Sequence, residues 1–256
     1  MCKSKTVIPI LLCLFSFVSC EEKNNQLSGT GYLYHLRPCN ALNVNNAWLE
    51  EFSYKDDTID EHGFNVIRDL QKDSIDSDCY LLRLCVNEAY RNYPFFLYPP
   101  FNDEVAYELE SDRIMEDQLV AYYENRPKTR SGGSYEVAFA VFNIEYRNEA
   151  LEDLKVFATE PVFGKEPGDC LNDKISVYGG PEPFYFDKDK NLIPIKEKPW
   201  GSLADYLAFS SMTPAILYLQ LTEKPQEVPV TLRFAIELKV EGKEPFRDTT
   251  RAVKLL

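Results

Sequence analysis

PVTLRFAIELKV, from Pro229 to Val240, sets Val230, Leu232, Phe234, Ile236, Leu238 and Val240 at every second position. Between them stand Thr231, Arg233, Ala235, Glu237 and Lys239. Side chains alternate faces along a strand, so this run is a strand with one face buried and the other mostly wet. Gly242 turns the chain, and Phe246 to Leu256 returns as a last strand. Upstream, Ala215 to Leu221 is another apolar strand.

Further strands follow toward the N-terminus. Phe184-Tyr-Phe, the turn Asp187 to Asn191 and Leu192-Ile-Pro-Ile read as a hairpin. Lys174 to Tyr178 and Leu154 to Ala158 are short strands, and Tyr135 to Tyr146 is a long apolar one. Cys79 to Tyr90 is a half- or fully buried strand, and Tyr32 to Tyr34 is strand-like. Residues 53–78 are acid-rich, without strong apolar runs, and read as a loop or a short helix.

Two helices interrupt the strands. Met115, Leu119, Tyr122 and Tyr123 fall on one helical face between Ser111, a capping residue, and Arg126, with Pro127 as the stop. Ser202-Leu-Ala-Asp205 matches a capping box, and Leu203, Tyr206 and Leu207 form a stripe that ends before Pro214. Short strands separated by turn signals define the expected fold class. It is mainly β, an antiparallel β-sandwich with one or two short helices, and an immunoglobulin-like topology is one form it could take. The expected organisation is a single domain over 30–256, with a split at Lys128 to Ser134 as the alternative.

The chain has 256 residues, 45% of them hydrophobic and 27% charged, an ordinary globular balance with enough length for a real core. It carries 28 Lys+Arg against 41 Asp+Glu. That acidic excess argues against binding nucleic acid through its phosphates, which needs clustered cations.

Residues 1–19 read as an address. Lys3 and Lys5 precede an apolar run from Val7 to Val18, too short to span a membrane at about 20 residues. The run ends in Phe17-Val-Ser-Cys20, and the chain turns polar at Glu21-Glu-Lys-Asn-Asn25. This resembles a bacterial lipoprotein signal, with Phe17 where leucine is usual. The acidic residues after the cysteine are similar to those of Bacteroidota lipoproteins, where they resemble a surface-export signal. The resemblance implies that Cys20 becomes the lipidated first residue, that 20–29 is a polar tether, and that the protein sits at the outer membrane, periplasmic or surface-exposed. Residues 130–256 also resemble uncharacterised lipoproteins of that group ending in a strand, a short helix and a β-hairpin, a likeness that implies no activity. Loss of residues 1–19 removes two lysines from the 28 cations and none of the 41 acids, leaving −15. The acyl chains would then do the anchoring, at about 0.8 kcal/mol per buried CH₂.

Cys39, Cys79, Cys85 and Cys170 remain as disulfide candidates in an oxidising compartment. Cys79 and Cys85 lie in one strand, about 20 Å apart when extended, too far to bridge each other. If two bridges form, Cys39 pairs with one of them and Cys170 with the other. Free buried thiols are the alternative.

Motifs for catalysis and for metal or cofactor binding are sparse. Asp187, Asp189 and Asn191 match the first ligands of an EF-hand loop, but Leu192 replaces its glycine and Lys198 its bidentate glutamate. A tight turn explains them better. Asp73, Asp76 and Asp78 read as a solvated loop. His35 and His62 are the chain's two histidines, and no Ser lies in a nucleophile-elbow motif. The expectation is no catalysis, no cofactor and no metal. The feature that stands out is residues 90–107, with seven aromatics among Pro94, Pro99 and Pro100. Tyr93, Phe96, Tyr98 and Phe101 there, with Trp200, are the candidate ligand-binding residues, offering flat faces to sugar rings. The expected function is a lipid-anchored envelope binding module, for carbohydrate polymers. The alternative is an assembly protein that docks an envelope partner through its C-terminal strands.

Overall fold

The structure, a computed structural model, describes residues 32–56, 59–92, 110–124, 142–179, 184–194, 201–209 and 211–256. In chain order the elements are β1 (Tyr32–Leu36), β2 (Asn43–Asp56), β3 (Ile59–Asp69), β4 (Ser74–Ile75), β5 (Tyr80–Cys85), α1 (Glu110–Glu124) and β6 (Phe142–Tyr146). There follow β7 (Leu151–Ala158), β8 (Ile175–Gly179), β9 (Phe184–Phe186), β10 (Leu192–Pro194), α2 (Leu203–Ala208) and β11 (Ile216–Leu221). The last are β12 (Val230–Leu232), β13 (Phe234–Val240), β14 (Phe246–Thr249) and β15 (Val253–Leu255). The protein is mainly β, as expected from the sequence, and its larger sheets are antiparallel or nearly so.

The largest sheet has the order β3-β2-β5-β11-β8 and is antiparallel throughout. Its centre is β5, YLLRLC, in which all six residues are buried. A run this apolar, interrupted only by the buried Arg83, suits a strand covered on both faces. Tyr80, Leu82 and Leu84 join the main core, and Cys85 joins a separate cluster with Tyr90, Ile216 and Tyr218. A second sheet, β14-β13-β7, supplies Leu154, Val156, Phe234, Ile236 and Leu238 to the same main core. The rings of Tyr80 and Phe234 stack there at 5.4 Å, and the Tyr80 hydroxyl donates to Asn46 Oδ1 at 2.6 Å. Each such side chain contributes about 1.5–3 kcal/mol by burial.

The period-two run at 229–240 keeps its alternation: Leu232, Phe234, Ile236, Leu238 and Val240 are all buried. It does not stay in one sheet. At Arg233 the ladder breaks, and β12 joins a sheet of order β12-β15-β4 while β13 joins β14 and β7. Two hydroxyls occupy the corner. Thr250 Oγ1 accepts from Phe234 N–H and Thr159 Oγ1 from Arg233 N–H, both at 3.0 Å. A backbone that leaves its ladder in the interior needs such replacements.

Residues 53–78 correct the expectation of a loop or short helix. β2 and β3 form a long hairpin through this region, in register from Ala47↔Asp69 to Tyr54↔His62. Strand pairing here follows partner contacts that a local count of acids cannot register. The helix expected from Ser111 is α1, which begins at Glu110, so Ser111 lies inside it instead of capping it. Arg126 and the 128–134 segment lie outside the described residues. The hairpin 184–194 and the Ser202 capping box are both present.

A second apolar cluster is separate from the first. Met115, Leu119 and Tyr123 of α1 pack with Leu36 of β1, Ile144 and Tyr146 of β6, Phe184 and Phe186 of β9, and Met212. Gln118 joins α1 to the β9–β10 hairpin: its amide donates to Lys190 O at 2.8 Å and its Oε1 accepts from Leu192 N–H at 2.8 Å.

Candidate functional site

β1 and β6 pair in parallel, from Tyr32↔Phe142 to Leu36↔Tyr146, so both strands leave the second cluster at the same end. There Leu36, Ile144 and Tyr146 point into the apolar cluster, and strand alternation turns Glu145 the other way. Arg37 and Arg147 follow directly after the paired residues. All three charged side chains are fully buried.

Glu145 is the hub. Arg37 Nη1 donates to its Oε2 at 3.0 Å, and Arg147 Nη2 donates to its Oε1. The Tyr90 hydroxyl donates to Oε2 at 2.7 Å, and the Arg37 guanidinium lies 5.8 Å from the centre of the Tyr90 ring. A carboxylate with two guanidiniums and a phenol on it has its charge-assisted bonds satisfied. Next to the hub, Glu149 Oε1 accepts from Cys39 N–H at 3.1 Å and from Lys243 Nζ at 2.7 Å. Lys243 also donates to Cys39 O. Asn87 Nδ2 donates to Pro38 O at 2.9 Å and Asn43 Nδ2 to Asn87 O at 2.7 Å.

The protonation states follow from burial and neighbours. Burial, reinforced by Glu145, drives the Tyr90 phenol far upward, so it remains a donor. Burial pulls Arg147 toward neutrality, but Glu145, with Cys39 and Tyr90, together outweighs it, and the guanidinium holds its proton more tightly. Burial pushes the Cys39 thiol up to about 12. Arg147 opposes that shift in part and Glu149 adds to it. Cys39 is therefore a neutral thiol and a poor nucleophile. As an arrangement, the cluster joins the ends of β1 and β6 to the turn at Glu88–Asn92 and, through Lys243, to the β13–β14 turn. Its chemistry is that of a structural hub.

Of the residues singled out from sequence, Cys20, Tyr93, Phe96, Tyr98, Phe101 and Trp200 lie outside the described residues. Of the two alternatives for the cysteines, the structure has Cys39, Cys79, Cys85 and Cys170 as thiols. Cys39 is packed in the main core, whereas Cys85 belongs to the cluster on the opposite face of β5, and Cys170 is exposed beside β7. Asp187 closes a turn, its Oδ1 accepting from the Asp189 and Asn191 N–H groups, both at 2.9 Å. Asp76 accepts from Asp78 N–H within its own turn. No group of three or more His, Cys, Asp or Glu among the described residues is arranged to hold a metal. No helix among them is long and apolar enough to cross a membrane.

The Glu145 hub escaped the sequence reading. Glu145 and Arg147 are two apart at the end of an apolar strand, which places them on one face. That spacing was the available signal. Nothing in the sequence links them to Arg37, 108 residues away from Glu145. Compared with protein-family models, curated proteins and solved structures, the chain finds no match.

Proposed function

We propose that this chain is a lipid-anchored cell-envelope binding module that presents the aromatic segment beginning at Tyr93 to a carbohydrate polymer, without catalysis. The lipoprotein-like Phe17-Val-Ser-Cys20 and its polar tether supply the anchor in this reading, at the outer membrane. One observation carries it: both flanks of that segment are fastened to buried structure. On the N-terminal side Tyr90 is held by Glu145, and Arg91 Nε donates to Asn43 Oδ1 at 3.3 Å. On the C-terminal side α1 buries Met115 and Leu119 completely. Firmly held stems lower the ordering cost of presenting rings such as Tyr93, Phe96, Tyr98 and Phe101, with Trp200, to sugar faces.

The test is native affinity electrophoresis of residues 21–256 in gels containing host, plant or bacterial polysaccharides. The expected result is retardation by one polymer, abolished by Tyr98→Ala or Trp200→Ala. A folded sample retarded by none of them would overturn the carbohydrate reading.

Assembly with an envelope protein is the second reading, and the strand arrangement changes where docking would occur. β15 lies between β12 and β4, so both its backbone edges are occupied. β14 ends its sheet, and strand addition would fall there. Truncating Phe246–Leu256 is a poor test, because Val253 and Leu255 belong to the main core. A co-purifying envelope partner lost in Thr249→Pro would favour this reading.

A further inference from the structure

The two larger apolar clusters share no buried residue. β1 and β6 pair with each other, β9 pairs with β10, and none of the four pairs with a strand of the larger sheets. With α1 they make a unit closed on its own core. Two of the passages from this unit to the main body are described, Arg37-Pro38-Cys39 and Arg147-Asn148-Glu149; those at 93–109, 180–183 and 195–200 lie outside the described residues. Because β1 and β6 are parallel, the two passages lie side by side, and the buried charges gather there.

Few described contacts cross the boundary, and most are polar. Tyr90, packed with Cys85 and Ile216 of the main body, donates to Glu145. Lys243, in the β13–β14 turn, donates to Glu149 at 2.7 Å. Met212 N–H donates to Phe186 O at 2.9 Å. Tyr185 of β9 packs against the main core and on the ring of Phe209, just after α2, at 6.2 Å, and Met212, from the stretch before β11, is buried in the core of this unit. Apolar burial is what makes neighbouring elements unfold together, and parts joined by few apolar contacts open separately.

We propose that β1, β6, α1 and the β9–β10 hairpin form a unit that opens separately from the main core and is latched to it by the Tyr90–Glu145 and Lys243–Glu149 contacts. Opening turns this unit away while the β7–β13–β14 core stays folded. The first of these latch contacts is the only hydroxyl contact that Glu145 makes among the described hydrogen bonds, so removing one oxygen cuts it.

Native-state hydrogen exchange on the full chain, followed by mass spectrometry across low denaturant concentrations, tests this. Peptides covering 33–37, 115–123, 144–147 and 184–186 are expected to exchange as one group, with a shallower denaturant dependence than peptides covering 154–158 and 234–240. Tyr90→Phe is expected to speed exchange of the first group by about ten- to a hundredfold, the effect of one lost hydrogen bond to a charged group, and to leave the second group unchanged. Lys243→Met, which cuts the other contact without touching the hub, should act on the same group. Exchange of both groups in one step with one slope would overturn the proposal. So would a Tyr90→Phe effect of equal size in both, which is also what a globally unfolded variant would give.

Discussion

Replacing Glu145 by Gln keeps the shape of the side chain and removes its charge. The size of the effect follows from the site. At 3.0 Å, with an effective dielectric constant of about 20, one guanidinium–carboxylate pair is worth about 5.5 kcal/mol of direct attraction. Desolvation of the three fully buried ions offsets most of that, so the intact cluster adds little net stability. Glu145→Gln leaves the desolvation of Arg37 and Arg147 in place and withdraws the charge between them. The expected loss is about 3–5 kcal/mol. For a chain of this size, each kcal/mol is about 2–4 °C in Tm, which makes the drop about 6–20 °C. Urea and thermal unfolding of residues 21–256, followed by circular dichroism, measure both. The variant Arg37→Met, Tyr90→Phe, Glu145→Leu, Arg147→Met removes the three charges and the hydroxyl that donates to Glu145 together, and should lie within about 1–2 kcal/mol of the parent, or above it. A loss below about 1 kcal/mol in Glu145→Gln would refute the reasoning, because it would mean that water reaches the guanidiniums.

Three further outcomes are expected. Cys39, with its thiol at about 12, should resist iodoacetamide at pH 8 in the folded protein and react once urea unfolds it, whereas exposed Cys170 should react at once; peptide mapping of the labelled chain distinguishes them. Thr250→Val removes the buried acceptor for Phe234 N–H and should cost about 1–3 kcal/mol in urea denaturation, with Thr250→Ser recovering most of it. Glu227 accepts from Gly164 N–H at 2.7 Å and Phe163 N–H at 3.0 Å, and the Gly164 bond first among several causes lowers its pKa. A carboxylate whose pKa falls on folding stabilises the fold above its unfolded value and loses that contribution as pH drops through the folded one. Glu227→Gln should therefore lower the urea midpoint at pH 7 and match the parent near pH 2.

The C-terminal strands were legible because each presents one face to the core, and burial preserves the alternation of Leu232, Phe234, Ile236 and Leu238. Their division between two sheets was not legible. The corner at Arg233 depends on hydroxyls of Thr159 and Thr250, and neither residue type signals a corner by itself. α1 was readable from Met115, Leu119 and Tyr123, since helical spacing is local. The β2–β3 hairpin was missed because its acids mask a pattern that only the register Phe52↔Phe64 and Tyr54↔His62 makes visible. The hub at Glu145 was missed for the same reason over a greater distance. Its partners come from three segments, and local sequence says nothing about which arginine meets which carboxylate.

The pairing of Ser74 and Ile75 with Lys254 and Leu255 has a kinetic side. Those partners are 180 residues apart along the chain, and β1 finds β6 across 110. Long closures cost chain entropy before any contact offsets it, so the folding rate of such a topology falls by orders of magnitude against a local one. While β15 is unplaced, β12 and β4 expose open backbone edges, the surfaces on which chains aggregate. A chain built this way spends the slow part of its folding in its most adhesive state, and a holding chaperone would raise its yield more than any change to its native contacts.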